Sequence, residues 1–297
     1  MRPIFYVTRT SRWFPEGGFN LLAIRDYGKH KVIAVPPDET PKIRDSIIFF
    51  ENVQQVNMVS PYYKYYLYRL LRGVFPSRIV QKLKDNGNIV VGGVAGPVGF
   101  RQFAPLLLQF HMLRCNIDPV LQEKVKAIHP NVHVIPTGED PELFRPTEKP
   151  DEIIISWAGR DHKRFKRADL LEQLGYPYKK ASYFGNFVPH EKMPEFLNSS
   201  SVHVVTSESE GFGRMILEAA LCGLPVISSD VGVARHILDD EWIVPEITAA
   251  EYRKRIVPAF EDRESIGRSN RGRALKFTWE YVAGLYDKMW EAADTLG

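Results

Sequence analysis

Short apolar runs rich in β-branched residues punctuate the chain at residues 4–7, 31–35, 46–50, 88–91, 132–135, 152–157, 182–184, 202–206 and 225–228. Longer segments of helical period separate them, and this alternation specifies βαβ units and parallel sheets rather than a bundle or an antiparallel sandwich. The two sets of runs are divided by GEDPELFRPTEKPDE, residues 138–152, rich in proline and acid and poor in apolar side chains, as a linker is. The boundary expected near Thr147 gives an α/β domain over 1–147 and a second over 148–278. The tail, 279–297, reads as an amphipathic helix with Tyr281, Val282, Leu285, Tyr286 and Met289 at helical spacing.

A chain of 297 residues has room for two such domains, and 44% hydrophobic residues are enough to bury a core in each. The net charge of +3 is too small for a general polyanion binder, so nucleic acid is not expected as a partner. Cys115 and Cys222 match no zinc or redox spacing and fit two free thiols in a reducing compartment. The N-terminal MRPIFYVTRTSRWF enters a strand directly, without the features of a signal peptide, and no apolar stretch reaches the roughly 18 residues of a membrane span. A cytoplasmic protein is expected.

The stretch SESEGFGRMILEAALCGLPVISSD, residues 207–230, carries the chemistry. A strand over 202–206 enters a turn, and a helix over 214–221 follows, closed by Gly223 and Pro225. Ligands of open α/β sheets bind at loops of this kind, beyond the carboxyl ends of strands. Gly211 and Gly213, on either side of Phe212, let the backbone approach a ligand, and the helix start presents free N–H groups to an anion such as a phosphate. Glu210 and Glu218 supply carboxylates that accept hydrogen bonds from the hydroxyls of a ribose or hexose. A plain βα connection with solvated glutamates is the alternative reading.

A second strand end, at Gly159 and Arg160 in IISWAGRDHKRFKRADLL, is followed by Lys163, Arg164, Lys166 and Arg167. Arginine binds phosphate bidentately and lysine as a mobile point charge, so the cluster suits a diphosphate; a solvated basic helix start is the alternative.

Taken together, these motifs resemble the retaining glycosyltransferases of the GT-B fold that carry an E-x7-E segment, the large family of glycogen synthase, sucrose synthase and bacterial mannosyltransferases. VIPTGEDPELFRP (134–146), Gly159-Arg160 with Lys166, YFGNFVPHEKMPEFL (183–197) and FTWEYVAGLY (277–286) follow in the family's order. PEGGFNLLAIRDYGKHKVIAV (15–35) is similar to its Gly-Gly loop in shortened form.

The resemblance implies two Rossmann-like domains facing across a cleft, the final helix crossing back to the first, and a nucleotide-diphosphate-sugar as co-substrate with no other cofactor and no metal. Glu218 would bind the ribose, and Glu210 with Gly211, Phe212 and Gly213 the transferred sugar. Arg160 and Lys166 would neutralise the diphosphate beside Gly159, with Gly17 and Gly18 approaching from the opposite domain. Such enzymes often place a histidine near the reacting sugar, for which His111 is best placed by order, although its apolar surroundings equally suit a core histidine. The acceptor would be a glycan, a lipid or a small molecule. A nucleotide-sugar epimerase, a phosphorylase and a non-catalytic nucleotide-sugar-binding module remain as alternatives.

The chain also departs from the family. Residues 166–184 are too few for the usual βα unit, and Thr137 and Glu139 stand where Asn and Val are expected. No Asp-x-Asp metal motif is present; Asp239-Asp240 reads as a solvated loop. PYYKYYLYRLLRGVFPSR, residues 61–78, would form a helix with one aromatic and basic face, suited to peripheral membrane contact or an anionic acceptor, or to plain packing.

Overall fold

The computed structural model describes residues 1–7, 19–53, 74–96 and 105–297. They divide into two units, Met1–Gly138 with Trp279–Gly297, and Glu139–Thr278. Gly17, Gly18 and most of the 61–78 stretch lie outside the described residues.

The first unit is a six-stranded sheet in the order β2-β1-β3-β4-β5-β6. Its strands are β1 (Ile4–Val7), β2 (Val32–Val35), β3 (Ile47–Phe50), β4 (Ile89–Val94), β5 (Met112–Cys115) and β6 (Val132–Val134). All pair in parallel. Helices α1 (Phe19–Tyr27), α2 (Val74–Asp85) and α3 (Pro119–Lys126) intervene.

A parallel sheet is covered on both faces, so its strands are apolar throughout and successive residues supply opposite layers. Ile47 and Phe49 of β3 join Ile4, Tyr6 and Val91 on one face, while Ile48 and Phe50 join Val80, Leu83, Leu121 and Val125 on the other. The first face is closed by α9 (Trp279–Asp294), whose Val282, Tyr286, Met289 and Trp290 are fully buried on it. The carboxylate of Asp287 accepts from the N–H of Lys29 at 2.9 Å, tying the end of α1 to the same helix.

The second unit has the order β11-β10-β9-β7-β8, again parallel. Its strands are β7 (Ile155–Gly159), β8 (Tyr178–Ser182), β9 (Val202–Val205), β10 (Val226–Ser229) and β11 (Ile243–Val244). Its helices are α4 (Met193–Asn198), α5 (Arg214–Leu221), α6 (Ala234–Ile237), α7 (Ala249–Glu261) and α8 (Arg263–Ala274). Between β7 and β8 there is no α-helix but three successive 3-10 turns, Arg164–Lys166, Ala168–Leu170 and Glu172–Leu174. The short sequence interval noted above is met in this way.

The chain enters the second unit at Glu139, ahead of the Thr147 expected from composition. The cause is local: Glu139 donates its N–H to the Phe277 carbonyl at 3.0 Å and bridges in parallel to Thr278, and Phe144 is buried. Among the described residues no helix is long and apolar enough to cross a membrane. Cys115 and Cys222 are buried free thiols, pushed by burial to pKa values of about 11 and about 12.

Candidate functional site

In the second unit the strand order reverses between β7 and β9, the neighbours at the centre of the sheet. At such a switch point successive connections leave for opposite faces and open a crevice beyond the carboxyl ends of the strands. The predicted residues flank it: Gly159 and Arg160 end β7, and the 207–213 turn follows β9.

The turn is held from three sides. Trp157 Nε1 donates to Thr206 Oγ1 at 3.0 Å, and Thr206 Oγ1 donates to the Lys166 carbonyl at 2.8 Å. The N–H of Glu208 donates to the Phe165 carbonyl at 2.7 Å, and Ser229 Oγ donates to the Ser207 carbonyl at 2.5 Å. The β7 and β9 loops are thereby stitched together, which fixes Lys166 against the turn.

Lys166 Nζ forms an ion pair with Glu210 Oε1, which also accepts from Ser207 Oγ at 2.8 Å. Two residues 44 positions apart, chosen separately from the sequence, thus meet. Arg160 is exposed and lies over the Tyr183 ring, 5.8 Å from its centroid. Of the rest of the basic cluster, Lys163 and Arg164 are exposed, and Arg167 pairs with Asp169 at 3.1 Å and Glu208 at 3.6 Å.

Gly213 adopts φ of +82° at the start of α5, a left-handed conformation that glycine adopts without the Cβ penalty. Phe212 is buried, and its carbonyl accepts from Val233 N–H at 2.7 Å, locking the turn onto the next loop. At Gly159 the constraint is packing rather than conformation: a Cβ there would sit 3.0 Å from the Trp157 indole, a tight contact.

Glu218, one turn into α5, is 2% exposed and belongs to a separate network. Arg214 Nη2 donates both to Glu218 Oε1 and to Glu139 Oε2, the latter at 3.0 Å. His190 Nε2 lies 3.1 Å from the same Glu139 oxygen, and Asp140 N–H donates to Glu139 Oε1 at 3.0 Å. Burial pushes the Glu139 carboxyl up, but His190, Arg214 and the Asp140 amide outweigh it and hold it below the usual carboxylate range. Burial pushes Glu218 up, and the Glu139 charge adds to this against Arg214. Ligand atoms of Glu139, His190 and Glu218 lie within 4.8 Å of one another, a spacing a metal could bridge. The guanidinium of Arg214, bonded to both carboxylates, takes the place of that cation.

Sequence reasoning missed Glu139, His190 and Arg214 as a unit. Only the unexpected acid at 139 signalled it, because the three belong to an entry segment, a 3-10 turn and a helix start far apart in the chain. His111 has the surroundings of the core-histidine alternative. It precedes β5, at the amino end of the sheet, where its Nδ1 accepts from Val90 N–H at 2.9 Å. Burial, with Lys84 nearby, lowers its pKa to about 4. Ligand crevices lie at the other end of such strands, so it reads as a structural histidine.

Residues 144–271 match the family model described as glycosyl transferases group 1. Among curated relatives, a phosphatidylinositol N-acetylglucosaminyltransferase polypeptide of Arabidopsis thaliana is 27% identical over 54% of this chain and 31% of its own length. D-inositol 3-phosphate glycosyltransferase of Kribbella flavida is 28% identical over 48% of this chain and 35% of its own length. The matched region therefore spans about a third of those relatives. Among solved structures, Anabaena HepE in complex with UDP and glucose is similar over 98% of this chain and 100% of that one, with a TM-score of 0.72 at 13% identity. Sucrose-phosphate synthase from Thermosynechococcus elongatus is similar over 100% of both chains, with a TM-score of 0.70 at 15% identity. The two Rossmann-like parallel-sheet units make a GT-B fold, and residues 144–271 of the second match the model of glycosyl transferases group 1.

Proposed function

We propose that the chain transfers a sugar from a nucleotide-diphosphate-sugar to an acceptor hydroxyl with retention of anomeric configuration. The observation that carries this reading is the Lys166–Glu210 pair, set at the switch point beside the start of α5. A donor whose diphosphate engages Lys166 gives the lysine a new charge partner, while its sugar hydroxyls donate hydrogen bonds to the Glu210 carboxylate. The N–H groups at the start of α5 add a positive dipole end for the phosphates.

Breaking the anomeric C–O bond leaves charge on the β-phosphate and an oxocarbenium-like sugar. Lys166 and Arg160 then stabilise the leaving group as fixed cations, worth most where charge develops, so the reaction needs no metal. The carboxylate of Glu210 orients the sugar, and Glu218 accepts from the ribose hydroxyls. The acceptor is a glycan, lipid or small-molecule hydroxyl, and the names of the curated relatives favour a sugar or inositol-containing acceptor. Calorimetric titration of nucleoside diphosphates and their sugar conjugates tests the donor site, with Glu218→Ala beside the wild type. One nucleotide binding to the wild type and lost in the variant supports it; no binding by any of them removes it. Proton NMR of the product's anomeric centre tests retention.

A further inference from the structure

We propose that Glu139 is a positioning residue for Glu218, acting through Arg214 to keep part of the Glu218 carboxylate available to a ribose. The inference rests on the reading of Glu218 as the ribose acceptor.

Geometry carries it. Both oxygens of Glu139 are pinned, Oε1 by the Asp140 amide at 3.0 Å and Oε2 by His190 Nε2 at 3.1 Å. Its backbone is pinned by the Phe277 carbonyl and the bridge to Thr278. The Glu139 side chain is 0% exposed, and that of Glu218 2%. Its remaining contact is Arg214 Nη2 at 3.0 Å, the same nitrogen that donates to Glu218.

A carboxylate offers about four lone-pair sites, and an unrestrained guanidinium lies fork to fork across two of them. By drawing Nη2 toward itself, Glu139 turns the fork away from that pose and leaves Glu218 acceptor capacity for hydroxyls. A carboxylate is needed for this because a neutral partner would not compete with Glu218 for a cation.

The test compares Kd for UDP, ADP and GDP with Kd for their 2′,3′-dideoxy analogues, in the wild type, Glu139→Gln, Glu139→Val, Arg214→Leu and the Glu139→Val/Arg214→Leu double variant. Thermal unfolding reports the fold of each, and Glu139→Gln, close in volume, serves should Glu139→Val not fold. The wild type is expected to prefer the ribonucleotide by about 10- to 100-fold, as hydrogen bonds to a charged group allow. In the Glu139 variants that preference falls about tenfold while dideoxy binding, which reads the phosphates, is unchanged. In the Arg214→Leu background the further change at 139 has no effect, since the intermediary is gone.

A wild-type preference that survives in the Glu139 variants overturns the positioning role and leaves the ribose reading standing. Additive effects in the double variant also overturn it, because Glu139 then acts by another route. A wild type that does not distinguish ribo from dideoxy overturns the ribose reading, and the inference with it.

Discussion

Lys166 and Glu210 show how a partly exposed pair can matter more for chemistry than for folding. Their side chains are 16% and 18% exposed, and removing the lysine leaves Glu210 with Ser207 Oγ as its remaining hydrogen-bond partner. Lys166→Ala should therefore lower the unfolding temperature modestly while leaving the protein folded. Loss of one fixed charge at a developing anion costs about 100- to 1000-fold in kcat, and steady-state kinetics with the donor found by calorimetry checks this. Near-normal turnover in a folded Lys166→Ala protein would remove its role at the leaving group. Gly213 makes the opposite case, where the backbone decides. Gly213 and Gly175 have nearly the same φ, +82° and +77°, but a Cβ at 213 would lie 3.1 Å from Ile216, whereas nothing lies within 4 Å at 175. Left-handed strain of about 1–2 kcal/mol applies to alanine at both. Differential scanning calorimetry should find Gly213→Ala the more destabilised of the two, the excess measuring the contact with Ile216.

Strand β9 joins site to core, and its buried His203 sets an acid limit on the second unit. His203 Nδ1 lies 2.9 Å from Ser156 Oγ, which accepts from Ser200 Oγ at 2.8 Å. Burial lowers its pKa from 6.5 to about 3, so the unfolded chain binds a proton that the native strand refuses. The resulting stability is present in full above pH 6.5 and is lost as pH falls toward 3, amounting to at most ~5 kcal/mol. Urea unfolding between pH 7 and 4 should show a shallower loss for His203→Leu than for the wild type; equal slopes would assign the acid sensitivity elsewhere. The same strand shows what the sequence made legible. VHVV, followed by SESEGFG, announces a buried strand, a turn and a helix start, because apolar run, glycines and helical period all act locally. Other elements lacked such signals. β8 begins with exposed Tyr178 and Lys179 at a sheet edge, so its run was placed at 182–184 rather than Tyr178–Ser182. β5 carries the buried Arg114, and β11 has only two residues. The site divides in the same way. Lys166 and Glu210 are each marked by residue type beyond a strand end, whereas the Glu139–Arg214–Glu218 network exists only once the entry segment is paired beside Phe277 and Thr278.

At the scale of the whole molecule, the first unit is built from two pieces of chain, and its stability depends on the last of them. Helix α9 follows the second unit in sequence but supplies Tyr286, Met289 and Trp290 to the core over β1, β3 and β4. The indole of Trp290 packs edge-on to Phe49 at 5.4 Å and stacks on Tyr286 at 5.6 Å. Its Nε1 has no hydrogen-bond partner among the described residues, so the residue acts through ring packing alone. Trp290→Ala should cost about 3–5 kcal/mol, as truncation of a buried aromatic does, whereas Trp290→Phe, which keeps a ring and removes the unpaired donor, should cost much less. Because those contacts lie within the first unit, the loss should be confined to it. Native-state hydrogen exchange distinguishes the possibilities, since cooperative units open with their own free energies. In Trp290→Ala the amides of Val90 and Val91 should exchange about a hundredfold faster or more, following the lost stability, while those of Val204 and Val205 in β9 keep their wild-type rates. Acceleration of both sets together would mean that the two units open as one, and that the final helix holds the whole chain rather than the unit into which it packs.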